Sequence, residues 1–322
     1  MYLWAFIRVR SRFAFLMSSA AAEIPLVIVG SVGIDTIETP RHKREGILGG
    51  SASYACAAAS FFAGVGMVGV VGTDFPERHR EAYRHFGINI DGLQIRPGET
   101  FRWSGVYETN MDNRRTISTE LNVFATFSPE LPHAYTSCPY LFLANISPGL
   151  QMHVLDQVAR PRFVVLDTMD LWINTAKEDL LKVIRRVTML TLNESEARHL
   201  SGEHALVKVA RNLLSLGPKY VLIKKGEHGS ILFSKKGIFM MPAYPLEDVV
   251  DPTGAGDTFA GGFLGALARS GGVSQSAIRK AMVYGSVVAS FGVEDFSLDR
   301  LGKLTLHEIE ERVAQFRKMT RA

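Results

Sequence analysis

Cysteine is scarce. The chain of 322 residues holds two, Cys56 and Cys138, far apart and with no CxxC or His/Cys cluster beside either. That excludes a disulfide scaffold and a zinc site and leads to the expectation of a reducing cytoplasm. No apolar stretch is long enough to span a bilayer. A formal net charge of only +4, spread without a Lys/Arg block, gives no reason to expect nucleic acid or a membrane as partner. Residues 1–22 lack acids altogether and carry Arg8, Arg10 and Arg12 among aromatics. They read as an N-terminal extension outside the fold, either transit-like or a misassigned start with translation beginning at Met17. From residue 25 to 317 there is no linker and no internal repeat. At 47% hydrophobic and 21% charged, 23–322 is expected to form one large core.

The most informative stretch runs from Asp251 to Phe263, DPTGAGDTFAGGF. Pro252, Gly254 and Gly256 predict a tight turn, and the small apolar residues that follow predict a buried helix. The first amides of a helix have no intrahelical acceptor and the helix dipole favours an anion there. Gly254 and Gly256 would let that backbone approach a phosphate, and Asp257 would stand beside it, able to take a proton from an attacking hydroxyl. The plain alternative is an Asp near a helix start after an ordinary Gly-rich turn. The GxxxxGK[ST] spacing of a P-loop is missing, so no lysine follows to reach the phosphates.

Leu26 to Val29 predicts a strand buried on both faces. Asp35 follows its C-terminal end, as a turn residue or as a ligand contact of the kind open α/β sheets place there. Thr36 to Leu48, with Pro40, reads as a short exposed segment able to cover a site. Gly49 and Gly50 open an Ala-rich helix, Val65 to Val71 is a further strand, and Gly72-Thr73-Asp74 its turn. Residues 100–118 alternate as a hairpin with Phe101, Trp103, Gly105 and Tyr107 on one face, which would either pack on the core or line a pocket. Asn122 is a polar candidate nearby. Strands at Tyr140 to Ala144, Phe163 to Asp167, Val187 to Leu192 and Tyr220 to Lys224 alternate with helices near 149–159, 172–186, 194–201 and 204–216, the rhythm of a mainly parallel α/β sheet. A hairpin at 229–241 and an apolar helix from Ala281 to Val293 follow. Asn193 and Glu196 have the spacing of a helix capping box.

The stretch from Asp251 to Phe263 resembles, position by position, the C-terminal signature of the ribokinase-like (PfkB) carbohydrate kinases. Asp35, Gly49-Gly50 and Gly72-x-Asp74 are similar in order and spacing to the N-terminal half of that family, and Asn193 to Glu196 matches its NxxE motif. The resemblance covers residues 25 to 317. It implies a three-layer α/β/α sandwich with a mainly parallel central sheet and a small β lid from 36–48 and 100–118. It implies an ATP-dependent kinase acting on a hydroxymethyl group, with Asp257 as base and the amides of Gly254, Ala255 and Gly256 facing the phosphoryl group. Asp35, Gly49, Gly50, Asp74 and Asn122 would hold the acceptor. Asn193, Lys224, Gly226, Gly229, Thr253 and Gly285 would border ATP, and Glu196 with Asn193 would hold Mg²⁺ through water. A sugar is the expected acceptor, a nucleoside the alternative, and a non-catalytic sugar-binding protein on this fold the third reading. Lids in the family pair between subunits, which implies a homodimer through the lid. Two positions depart from the pattern: Tyr54 stands where many relatives have a substrate-binding Asn, and Lys224 where Ser or Thr is commoner.

Overall fold

The computed structural model describes residues 24–111 and 113–320. The expected extension at 1–22 lies outside them. The fully apolar runs form the middle of a nine-stranded sheet. Leu26–Val29 (β1), Val65–Gly72 (β4), Asn89–Arg96 (β5), Tyr140–Leu143 (β8), Phe163–Asp167 (β9), Met189–Asn193 (β10) and Tyr220–Lys224 (β11) run parallel, and the hairpin Ser230–Ser234 (β12) and Gly237–Met241 (β13) extends them antiparallel. The order is β13-β12-β11-β10-β9-β8-β1-β4-β5.

Successive residues of these strands point to opposite faces. Leu26, Ile28, Phe142, Val165, Met189 and Leu222 meet one helix layer, which contains Ser51–Ser60 (α1), Ala255–Ser270 (α8), Gln275–Gly292 (α9) and Leu306–Met319 (α10), with Tyr83 of Glu77–His85 (α2) against its edge. Val27, Val29, Leu141, Leu166, Leu190 and Ile223 meet the other, built from Pro148–Gln157 (α3), Lys177–Ile184 (α5), Glu194–Ser201 (α6) and Leu206–Ser215 (α7), with Ile173 of the short Asp170–Thr175 (α4). Burial on both faces explains why these strands are continuous rather than alternating. Gly261 and Gly265 let α8 lie against the backbone of Ala55 and Ala59 in α1. That contact brings the start of α8 beside the start of α1.

A second sheet, β3-β2-β6-β7, stands over the C-terminal ends of the central strands. It comprises Gly33–Glu38 (β2), Lys43–Gly49 (β3), Phe101–Tyr107 (β6) and Arg114–Glu120 (β7). The segment from Thr36 to Leu48 is a hairpin of two paired strands, exposed over 40–45 as expected, and Asp35 sits within β2 rather than in a turn after β1. The short turn at Pro40 hid this, together with a bulge between Asp35 and Ile37 that breaks simple alternation. The helix expected over 172–186 is broken at Ala176, which leaves helical geometry at φ −141° and ψ 35°. Trp172 donates its indole N–H to Asn145 Oδ1 at 2.9 Å, which ties α4 to the end of β8.

Candidate active site

Asp257, Asp167, Lys224, Glu196 and Arg114 come together where α8, the second sheet and the ends of β9, β10 and β11 meet. Gly254 takes the N-cap position of α8 with φ 72°, and the Tyr54 ring fills the space a Cβ there would need. Both facts demand glycine. The amide of Ala255 donates to Pro252 O at 3.2 Å, whereas neither the Gly254 nor the Gly256 amide meets an acceptor among the described residues. Asp251 is buried and accepts from the Thr253 amide at 2.9 Å, bracing the turn. Thr253 Oγ1 in turn donates to the Tyr107 hydroxyl at 3.0 Å, so the second sheet is fastened directly to this loop.

Asp257 occupies the first turn of α8. Burial, and then the neighbouring Asp167, push its carboxyl up to about 7, while Lys224 and Arg114 pull it back down. Such a group changes protonation close to neutrality, as a base in hydroxyl chemistry should. Lys224 donates from Nζ to Asp167 Oδ2 at 2.9 Å, and a Cβ built on Gly256 would sit 3.0 Å from the same ammonium. Burial lowers the Lys224 pKa, but Asp167, Glu196 and Asp257 more than offset this, and it lies above the ordinary lysine value. The ammonium therefore stays charged.

Asn193 and Glu196 form the reciprocal cap: Asn193 Oδ1 accepts from the Glu196 amide at 2.8 Å and Glu196 Oε2 from the Asn193 amide at 2.8 Å. One carboxylate oxygen of Glu196 is thus committed to the helix and the other is free for a ligand. Burial, then Asp167, push this carboxyl up to about 7. A cation beside it would restore the ionised form, which fits a hard, oxygen-seeking divalent ion. Among the described residues no group of three or more His, Cys, Asp or Glu could hold a metal.

On the second sheet Asp35 is buried, and burial followed by Asp251 pushes its carboxyl up to about 8. Its Oδ1 has no hydrogen-bond partner. Gly49 lies against this carboxylate, where any Cβ would collide with it, and Gly50, at φ 96°, caps α1. Asp35 pairs across the sheet with Trp103, so both point to the same side, together with Ile37, Tyr107 and Arg114. The aromatic face divides its work accordingly. Tyr107 is buried against the core, and Trp103 is half-buried with the Arg114 guanidinium 5.1 Å from its ring centre.

Asp74 and Asn122 both hydrogen-bond Thr100, at the start of β6. The Asp74 carboxylate accepts from the Thr100 amide at 2.7 Å, from Thr100 Oγ1 at 2.6 Å and from Arg102 at 2.6 Å. Asn122 donates to Thr100 O at 3.0 Å. Both hold the root of β6. Gly226 and Gly229 shape the turn after β11, and Gly285 lies where α9 touches Phe259 and Phe263 of α8. Sequence reasoning missed Asp167 and Arg114. Asp167 carried a usable signal as an acid closing a strand of a parallel sheet; Arg114, after a turn in an exposed hairpin, carried none.

Residues 26–299 match the pfkB family carbohydrate kinase. The chain is 34% identical over 258 residues to the cytidine kinase of Thermococcus kodakarensis, covering 76% of this chain and 89% of that protein. It is 27% identical over 256 residues to the nucleoside kinase of Methanocaldococcus jannaschii, covering 75% and 79%. The fold superimposes on the Burkholderia thailandensis nucleoside kinase solved in complex with inosine, with TM-score 0.74 at 20% identity over 90% of this chain and 97% of that one. The sandwich of one mainly parallel sheet between two helix layers, topped by a four-stranded lid, is therefore the ribokinase fold, and the chain belongs to the pfkB family of carbohydrate kinases.

Proposed function

We propose that this kinase transfers the γ-phosphoryl group of ATP to the 5′-hydroxymethyl group of a nucleoside, with Asp257 as the base. One observation carries the reaction: a carboxylate titrating near neutrality stands in the first turn of a helix whose Gly254 and Gly256 amides have no acceptor, with an ammonium beside them. The acceptor oxygen forms its bond to the γ-phosphorus as the bond from phosphorus to the β–γ bridging oxygen breaks, leaving ADP. The hydroxyl proton passes to the Asp257 carboxylate. The Gly254 and Gly256 amides and Lys224 face the charge on the moving phosphoryl oxygens, the positioning and electrostatic work that dominates such transfers. Mg²⁺, held through water by the free oxygen of Glu196, would neutralise phosphate charge.

Asp35 and Trp103 favour a nucleoside over a free sugar. They stand side by side on the inner face of the lid, a buried carboxylate suited to ribose hydroxyls next to an indole suited to stacking on a base. Expectation from sequence ranked a sugar first. The identity to the cytidine kinase supports placing the nucleoside first. A cytoplasmic location is consistent with Cys56 and Cys138, both free and buried. The exposed edge strand β7 is the surface through which two lids would pair, and light scattering over a concentration series tests that homodimer.

The test is ADP release from ATP and Mg²⁺ across nucleosides, pentoses, hexoses and keto-acid sugars. Asp257→Asn is the control, expected to keep nucleotide binding and lose about two to four orders of magnitude of turnover. Turnover confined to free sugars would replace the nucleoside reading. Silence across the whole panel would favour a binding protein.

A further inference from the structure

Asp167 belongs to none of the motifs that identify the catalytic loop, yet it lies at the centre of the site's charges. It is the last residue of β9, and its side chain points to the α8 side of the sheet, as do Thr191 of β10 and Leu222 and Lys224 of β11. This shared face lets Lys224 reach across the end of β10 to Asp167 Oδ2 at 2.9 Å. The two side chains are 18% and 7% exposed, so the pair is held in a largely water-free setting where its geometry is well defined. The Asp167 main chain is fixed from behind, where Gln151 Nε2 donates to its carbonyl at 3.1 Å and to Ala144 O at 2.9 Å. Its other oxygen, Oδ1, accepts from the Thr168 amide at 3.0 Å. The carboxylate is thus clamped on both oxygens. Lys224 is not clamped: a flexible side chain, it has one partner, and its ammonium borders the Gly256 turn that starts α8.

We infer that Asp167 is a positioning residue for phosphoryl transfer, holding the Lys224 ammonium against the Gly254–Gly256 turn so that it contacts the transferred phosphoryl group. This inference rests on the kinase reading. Lysine brings three donors on a mobile stem, and its value to a reaction depends on being placed before the reaction begins. A P-loop lysine arrives from the helix that follows its own glycines. Here the sequence has no lysine at that place, and β11 delivers one from the opposite side of the turn. No proton leaves Lys224 in the step, because Asp257 takes the hydroxyl proton. Lys224 contributes charge alone.

The experiment compares wild type, Asp167→Asn, Lys224→Met, Lys224→Arg and the Asp167→Asn/Lys224→Met double variant. Initial rates give kcat and KM for ATP and acceptor, and thermal unfolding reports the folded fraction. Lys224→Met should lower kcat by about 10²–10³-fold, the usual effect of losing one donor to a developing charge. Asp167→Asn should lower kcat by about 10²-fold through misplacement of Lys224, with both KM values within about threefold of wild type. Lys224→Arg should recover part of the loss. The double variant should be no slower than Lys224→Met, because both changes remove one device. An Asp167→Asn protein with wild-type kcat per folded molecule refutes the inference. A double variant whose loss is the product of the single losses refutes it as well. If wild type itself turns over nothing, the kinase reading fails and this inference falls with it; an active wild type beside an unaffected Asp167→Asn refutes the positioning role alone.

Discussion

The pH dependence of turnover follows from where Asp257 sits. A base must be ionised to accept the hydroxyl proton. Burial and Asp167 raise the Asp257 pKa from 3.8 to about 7, so the active form is lost as pH falls through 7 rather than through 4. At one unit below that value roughly a tenth of the carboxylate remains ionised, and at two units roughly a hundredth. The acidic limb of kcat/KM, which reports the free enzyme, should therefore drop about tenfold per unit below pH 7. Asp35, raised to about 8 by burial and Asp251, titrates in the same range and adds a second proton to the wild-type limb, taking it from about tenfold per unit for Asp257 alone toward about a hundredfold per unit below pH 7. The Asp35→Asn variant separates the two: its kcat/KM is lower throughout but keeps the limb near 7. Coupled detection of ADP from pH 5.5 to 8.5 at constant ionic strength measures both profiles, with the coupling enzymes checked at each pH. A wild-type kcat/KM that stays flat down to pH 5.5 would refute the reasoning, since Asp257 would then be an ordinary exposed carboxylate or not the base.

Two further expectations concern the lid. Gly49→Ala puts a methyl into the Asp35 carboxylate, so the protein should lose about 1–3 kcal/mol of stability and bind acceptor more weakly, read by thermal unfolding and acceptor KM. Trp103→Ala should weaken a nucleoside by about 1–3 kcal/mol, the usual worth of base–aromatic stacking, and leave a free pentose nearly unaffected. Equal losses for both acceptors would mean that the indole only packs.

How much of this was legible beforehand depended on how local the cause was. The turn and helix at 251–263 were readable because glycine, proline and small apolar residues act within a few positions. The strands β1, β4, β8, β9, β10 and β11 announced themselves as continuous apolar runs, since both of their faces are buried. The lid was harder. Its strands are half-exposed, its β2–β6 pairing joins residues 33–38 to 101–106 in parallel, and no local pattern records a partner so far along the chain. For the same reason no local pattern announced that Asp74 and Asn122 both hydrogen-bond Thr100.

Residue types near each other in the chain thus supplied the expectation of phosphoryl transfer: an acid three residues into a helix, amides ahead of it, and a second acid and glycine pair near the N-terminus. Tertiary structure decided what those groups feel. Asp257 is an ordinary aspartate by sequence. Its carboxyl is pushed up to about 7 because burial under α8 and the lid, and then Asp167 of β9, outweigh the opposing pull of Lys224 from β11 and Arg114 from β7. Burial and charge–charge distance are properties of the assembled fold, and no reading of neighbouring residues contains them.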